Sequence, residues 1–356
     1  MSSRAAALWD QLREAGVVGG VLPTSSESPS PWYVRVMLGV SGWIAALFLL
    51  GFVGVGLEFV VKSAVASITV GMLALVAAFA LFRLARNDFY EQFGLAVSFA
   101  GQALVLLGFA ESLGWRGSGM WWMAAMVQVV IAGVMPNFVQ RLVAAFVAVY
   151  ALSTAMAMHG APFITSVLVA LAIAVIWLNE FSWHRRGVVV RPIGYGMTLA
   201  LVHLEGQALF VHSVRQLLSR QEEFRVLMPP WVGELALGLL LVVVVARLLS
   251  RNGEAWGSRR MVVALAVAAV VAAVSLEAPG IATGLMIIVL GFANGNRILV
   301  GLGIAALLFY VSAYYYTLET TLLIKSEILA VTGVVLLLAR WVVLKWVFPS
   351  KESSHA

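Results

Sequence analysis

Residues 193–212 read IGYGMTLALVHLEGQALFVH, and this stretch decides the fold. Twenty residues at about 1.5 Å each extend about 30 Å as a helix, the thickness of a bilayer's hydrocarbon core. Counted from Ile193, His203 falls roughly 15 Å deep, with Glu205 and Gln207 just beyond it. An ionisable side chain at that depth costs a few kcal/mol unless it faces other helices, water or a ligand. The stretch therefore predicts a membrane helix with a polar centre.

The surrounding chain has the composition such a helix needs. Of 356 residues, 62% are hydrophobic and 11% charged, against about 25% charged in a soluble domain. Many apolar runs reach the length of a span. The fold class is all-α, a polytopic membrane bundle. With no cysteine, disulfides, thiol nucleophiles and cysteine-ligated clusters are excluded. The net charge of +6 sits at helix ends, so no nucleic-acid partner is read from it. The first apolar run begins near Val34, after Pro23, Pro29 and Pro31. It is too long for a signal-peptide core, so it reads as a retained span.

In chain order, residues 1–33 form an N-terminal region. Within it, residues 4–16 place Ala5, Leu8, Trp9 and Leu12 on one face of a short amphipathic helix ending at Gly16. A transmembrane region follows over 34–347, then a tail over 348–356. Twelve spans are predicted, near 34–56, 63–84, 89–111, 120–135, 138–158, 162–181, 193–212, 231–249, 261–276, 280–293, 298–317 and 326–345. The stretches 120–135, 261–276 and 280–293 are short for a crossing. Seventeen of the 23 basic residues fall on the side of the N-terminus and six on the other. That bias puts both termini in the cytoplasm. Tryptophans, among them Trp32, Trp115, Trp177, Trp231 and Trp256, cluster near predicted ends, as interfacial anchors do.

The segments ESPSPWYVRVMLGVSGWIAALFLLGF and GFANGNRILVGLGIAALLFYVSAYYYTLETTLLIKS resemble the bacterial multi-pass membrane proteins grouped as domain of unknown function 4401. The resemblance implies a bacterial inner-membrane location. It brings no activity and no catalytic residues with it. The two terminal hairpins also resemble each other: Arg35, Glu58 and Lys62 in the first match Arg297, Glu319 and Lys325 in the last. A parallel internal repeat and simple convergence of span-flanking charges both account for this.

Candidate chemistry centres on the stretch at 193–212. At 100° per residue, Gln207 lies about 40° from His203, whereas Glu205 and His212 lie about 200° and 180° away. Two stripes result, His203/Gln207 and Glu205/His212. They read either as interhelical hydrogen-bonding groups or as a proton or polar-substrate pathway. Gln102 and Gln128, inside other apolar runs, are candidate partners for this helix. Glu58, Glu319, Tyr314 and Lys325 fall at outer span ends and form a candidate vestibule; Glu111, Glu234 and Glu277 read as solvated carboxylates there. The segment 213–231 reads as the longest outer loop. Ligand spacing for a metal is absent from the motifs, and no cofactor is expected.

Three functions fit. One is a permease-like or lipid-handling transporter with a polar site on the helix at 193–212. A second is a non-catalytic membrane subunit that anchors another membrane protein. The third, a transferase on a lipid-linked substrate, lacks a defined acid–base pair. The bilayer is the one partner the sequence implies directly; oligomeric state is open.

Overall fold

The computed structural model describes residues 3–16, 62–84, 88–114, 117–218 and 229–317, with single positions elsewhere. Among them are eleven α-helices and no strand. They are α1 (Ser3–Glu14), α2 (Ala64–Leu84), α3 (Asp88–Leu113), α4 (Ser118–Val134), α5 (Phe138–Met158) and α6 (Pro162–Leu178). After a 3-10 turn (Glu180–Arg186) come α7 (Gly187–Leu218), α8 (Pro230–Arg251), α9 (Arg259–Ser275), α10 (Ile281–Ala293) and α11 (Arg297–Thr317). Six of these helices are long and apolar enough to cross a membrane. The chain is a multi-pass helical membrane protein. The expected spans 34–56 and 326–345, and with them the hairpin repeat, fall largely outside the described residues.

Packing follows membrane logic, with small residues between helices and large ones facing outward. On α2 the buried positions are Ser67, Gly71, Leu75 and Ala78, a single stripe at helical spacing. Val65, Met72, Leu73 and Val76 on the same helix are exposed. Lipid tails solvate such side chains, so close backbone approach has to hold the helices together. Gly71 and Gly101 supply it between α2 and α3: a Cβ on Gly71 would stand 2.7 Å from the Gly101 carbonyl oxygen.

The helices pair as antiparallel neighbours, α2 with α3, α4 with α5, α8 with α9 and α10 with α11, while α5 also packs on α7. Helix α10 lies at the centre and touches α6, α7, α8, α9 and α11. Its 13 residues extend only about 20 Å, short of a bilayer core. Seven of them are buried, so protein rather than lipid surrounds it, and its length need not match the membrane.

Trp177 departs from expectation. It was predicted as an interfacial anchor and instead is fully buried, within the largest apolar cluster beside Leu201, Leu241 and Ile287. Its ring lies 5.1 Å from Tyr195, and its carbonyl accepts a 2.8 Å bond from Asn294 Nδ2. Trp231, at the start of α8, and Trp256, in the turn between α8 and α9, are by contrast exposed.

Helix α7 also begins and ends six residues beyond the predicted stretch. Pro192 lies inside it, although proline removes a main-chain donor and usually marks a boundary. At its far end, residues 213–218 continue the helix rather than opening the expected loop. Near its start, Gly196 meets α5 so closely that a Cβ there would overlap the Leu142 carbonyl oxygen and stand 2.9 Å from Ala145 Cβ. The obstacle is backbone, which cannot swing aside. Gly196→Ala is expected to cost about 1–3 kcal/mol by forcing α5 and α7 apart. Gly194→Ala meets only side chains, at 3.0 Å and beyond, and should cost less. Thermal unfolding of both variants in one detergent checks the order.

Candidate functional site: a buried carboxyl pair

Three helix N-termini meet at one end of the bundle. Helices α6 and α8 each start with proline in the first turn, where the missing N–H is no loss. Helix α10 starts after Gly280, whose φ of +87° is left-handed and suits glycine. A Cβ on Gly280 would stand 2.8 Å from the Tyr310 ring, so the turn is pressed against α11. The Ser275 hydroxyl accepts a 2.7 Å bond from the Ala282 N–H and holds this turn closed.

Into this layer α7 projects Glu205, and α8 projects Glu234. Glu205 is 3% exposed and Glu234 is 8% exposed. The Glu205 carboxyl has the Ser166 hydroxyl and the Glu234 carboxyl as hydrogen-bonding neighbours. The Gly280 main chain faces Glu234, and the fully buried Tyr310 is close enough to feel both acids. The Tyr310 hydroxyl donates to the Val202 carbonyl at 2.9 Å, one turn before Glu205. An ionised carboxylate only accepts hydrogen bonds. Two carboxyls can bond each other directly only when one of them carries a proton. Positive helix ends from α6, α8 and α10 favour the negative charge that remains.

The layer also contains polar oxygens with nothing to bind. Glu234 Oε2, Thr165 Oγ1 and Thr283 Oγ1 are buried without a partner among the described residues. Threonines inside helices usually bond the carbonyl four residues back, and Thr69, Thr154 and Thr198 do so. Thr165 and Thr283 stand near the starts of α6 and α10 and make no such bond. A buried polar group left unsatisfied costs about 1–3 kcal/mol.

The sequence-derived candidates separate in space. Glu205 faces inward, while His203 and Gln207 are exposed on the opposite stripe. The His203 ring lies 5.8 Å from Phe146 and 6.1 Å from Tyr150. His212 belongs to α7, but its side chain is outside the described set. Gln102 and Gln128 do not serve α7: Gln128 Nε2 donates to Gln102 Oε1 at 2.8 Å, and Gln102 Nε2 donates back to Ser98. Glu58, Glu319 and Lys325 lie outside the described residues, and Tyr314 is half-buried near the end of α11.

One correction follows. Glu234, expected to be solvated, is buried, because the α10 turn folds over it. With α7 running from Gly187 to Leu218, Glu205 lies about 27 Å along the helix, beside Ser166 of α6 and Glu234 of α8. The residues missed by sequence reading are Ser166, Glu234, Gly280 and Tyr310. For Tyr310 a signal existed: Ala306, Tyr310 and Ala313 form a buried stripe at helical spacing.

These features define a helical membrane protein with a pair of buried, neighbouring carboxyls in its interior. The model of the family described as domain of unknown function (DUF4401) matches residues 31–346, and the chain belongs to that family. No curated protein and no solved structure matches it.

Proposed function

We propose that the protein is a bacterial inner-membrane carrier in which the Glu205–Glu234 pair binds and releases a proton as a polar solute or lipid headgroup occupies the adjacent layer. The observation that carries this reading is the hydrogen-bonding contact of two buried carboxyls, set among orphaned oxygens at three helix N-termini. The orphaned oxygens leave hydrogen-bonding capacity in the layer for a polar group. A short interior helix ending at the site also supports it, since carriers place binding groups at the ends of discontinuous helices. The proton moves onto or off a carboxylate oxygen, and no covalent step is involved.

Purification in native nanodiscs followed by mass spectrometry of everything retained tests this reading. The wild type is expected to keep a small polar molecule or a specific lipid that Glu205→Gln loses. Proton uptake into proteoliposomes is expected to fall to the protein-free level in the same variant. A stoichiometric protein partner, with no small molecule and no difference in Glu205→Gln, would replace the carrier reading with that of an anchoring subunit.

A further inference from the structure

The opposite, arginine-rich end of the bundle holds a separate cavity of about 530 Å³, within the usual range for small-molecule sites. Phe138, Arg141, Trp177, Glu180, Val188 and Arg191 are among its walls. Among the described lining residues two arginines face one acid, and the acid is taken: Arg191 Nε bonds Glu180 Oε1 at 2.9 Å. Arg141 is the group left over. It is only 7% exposed, its Nη1 donates to the Val188 carbonyl at 3.0 Å, and its Nε is buried with no partner.

The Val188 carbonyl is available for a local reason. In a regular helix it would accept from the N–H of residue 192, and Pro192 has none. Arg141 fills that gap from α5 and so is held at the cavity wall. A neutral acceptor does not compensate a buried guanidinium charge, and an uncompensated buried charge is costly. Much of the remaining lining is apolar, including Ile176, Val190 and Pro192.

We infer that this cavity binds a monoanionic amphiphile, with its oxyanion against Arg141 and its apolar part along Phe138, Ile176 and Val188. The shared chemistry is a singly charged oxyanion on an apolar body, which a phospholipid phosphodiester or a fatty-acid carboxylate supplies. One net positive charge selects a monoanion, and guanidinium geometry suits both oxyanions. The site lies at the opposite end of the bundle from the carboxyl pair and stands independently of the carrier reading.

Native mass spectrometry of the detergent-purified full chain tests it, with phosphatidylglycerol, oleate and phosphatidylcholine as competing probes. The wild type is expected to retain phosphatidylglycerol or oleate over phosphatidylcholine by about tenfold, the ratio set by one charge-assisted hydrogen bond. Whichever anion is retained names the source. Arg141→Gln should abolish the preference by removing the charge. Val188→Trp should abolish it by filling the mouth from a position that is 80% exposed. Glu205→Gln should leave it unchanged, so failure of the carrier reading does not touch this one. Equal retention of all three probes by the wild type, or a preference that survives Val188→Trp, would overturn the inference. Should Arg141→Gln not fold, Val188→Trp decides alone.

Discussion

Glu234→Ala is expected to destabilise the bundle by about 2–3 kcal/mol, as is Glu205→Ala, because each strips a buried acid of a charged hydrogen-bonding partner. The informative result is the double variant. Two residues in contact do not contribute additively. Once one carboxyl is gone, most of the interaction is lost, so removing the second should add little. Glutamine at both positions should recover much of the loss, since an amide supplies both a donor and an acceptor within the same volume. Thermal or denaturant unfolding of the two single and two double variants, in one detergent, measures the coupling. Strictly additive losses would mean that the acids do not act as a pair. Stability and proton uptake also part company here: glutamine at both sites restores folding while leaving no group to exchange a proton.

Trp177→Ala carries the largest purely structural effect. The side chain has no exposure and lies among residues of α5, α6, α7, α8 and α10. Its indole N–H makes a long 3.4 Å bond to Thr198 Oγ1, and Gly194 packs flat against the ring. Replacing a buried tryptophan by alanine costs about 3–5 kcal/mol through the cavity it leaves. The cost applies in a membrane as it does in water, because the loss is of packing contacts rather than of burial from solvent. Trp177→Phe keeps most of the volume and gives up a weak hydrogen bond, so it should cost about 1 kcal/mol. The fraction of monodisperse protein after heating separates the variants. A mild Trp177→Ala phenotype would show that the cluster collapses around the gap.

The helices were legible because a membrane span is a crude object: about twenty apolar residues bounded by polar ones. That is why α2 to α11 begin and end near ten of the stretches read from the sequence, α7 excepted at its ends, six of them with the length and apolarity of a span. The facing of Glu205 was half legible. Helical geometry separated it from His203, yet nothing local said which stripe turned inward; contact with α8 and the α10 turn decided that. Glu234 was illegible for the same reason. A carboxylate five residues into a helix, behind two prolines, reads as solvated, and only the turn at Gly280, two helices further along the chain, covers it. Trp177 repeats the lesson, since a tryptophan near a span end looks like an anchor until α7 and α10 close over it.

Pro192 and Arg141 bear on how this sequence can change over generations. Proline withdraws a donor from its own helix, and an arginine from a distant part of the chain supplies the replacement. The worth of each residue is therefore set by the other. If alanine arises first at 192, the helix's own N–H reclaims the Val188 carbonyl, and the buried Arg141 loses that acceptor. If Arg141 is lost first, that carbonyl is left facing the cavity with no donor. Either substitution alone leaves one group without its partner, the guanidinium in the first case and the carbonyl in the second, so the two positions are expected to change together.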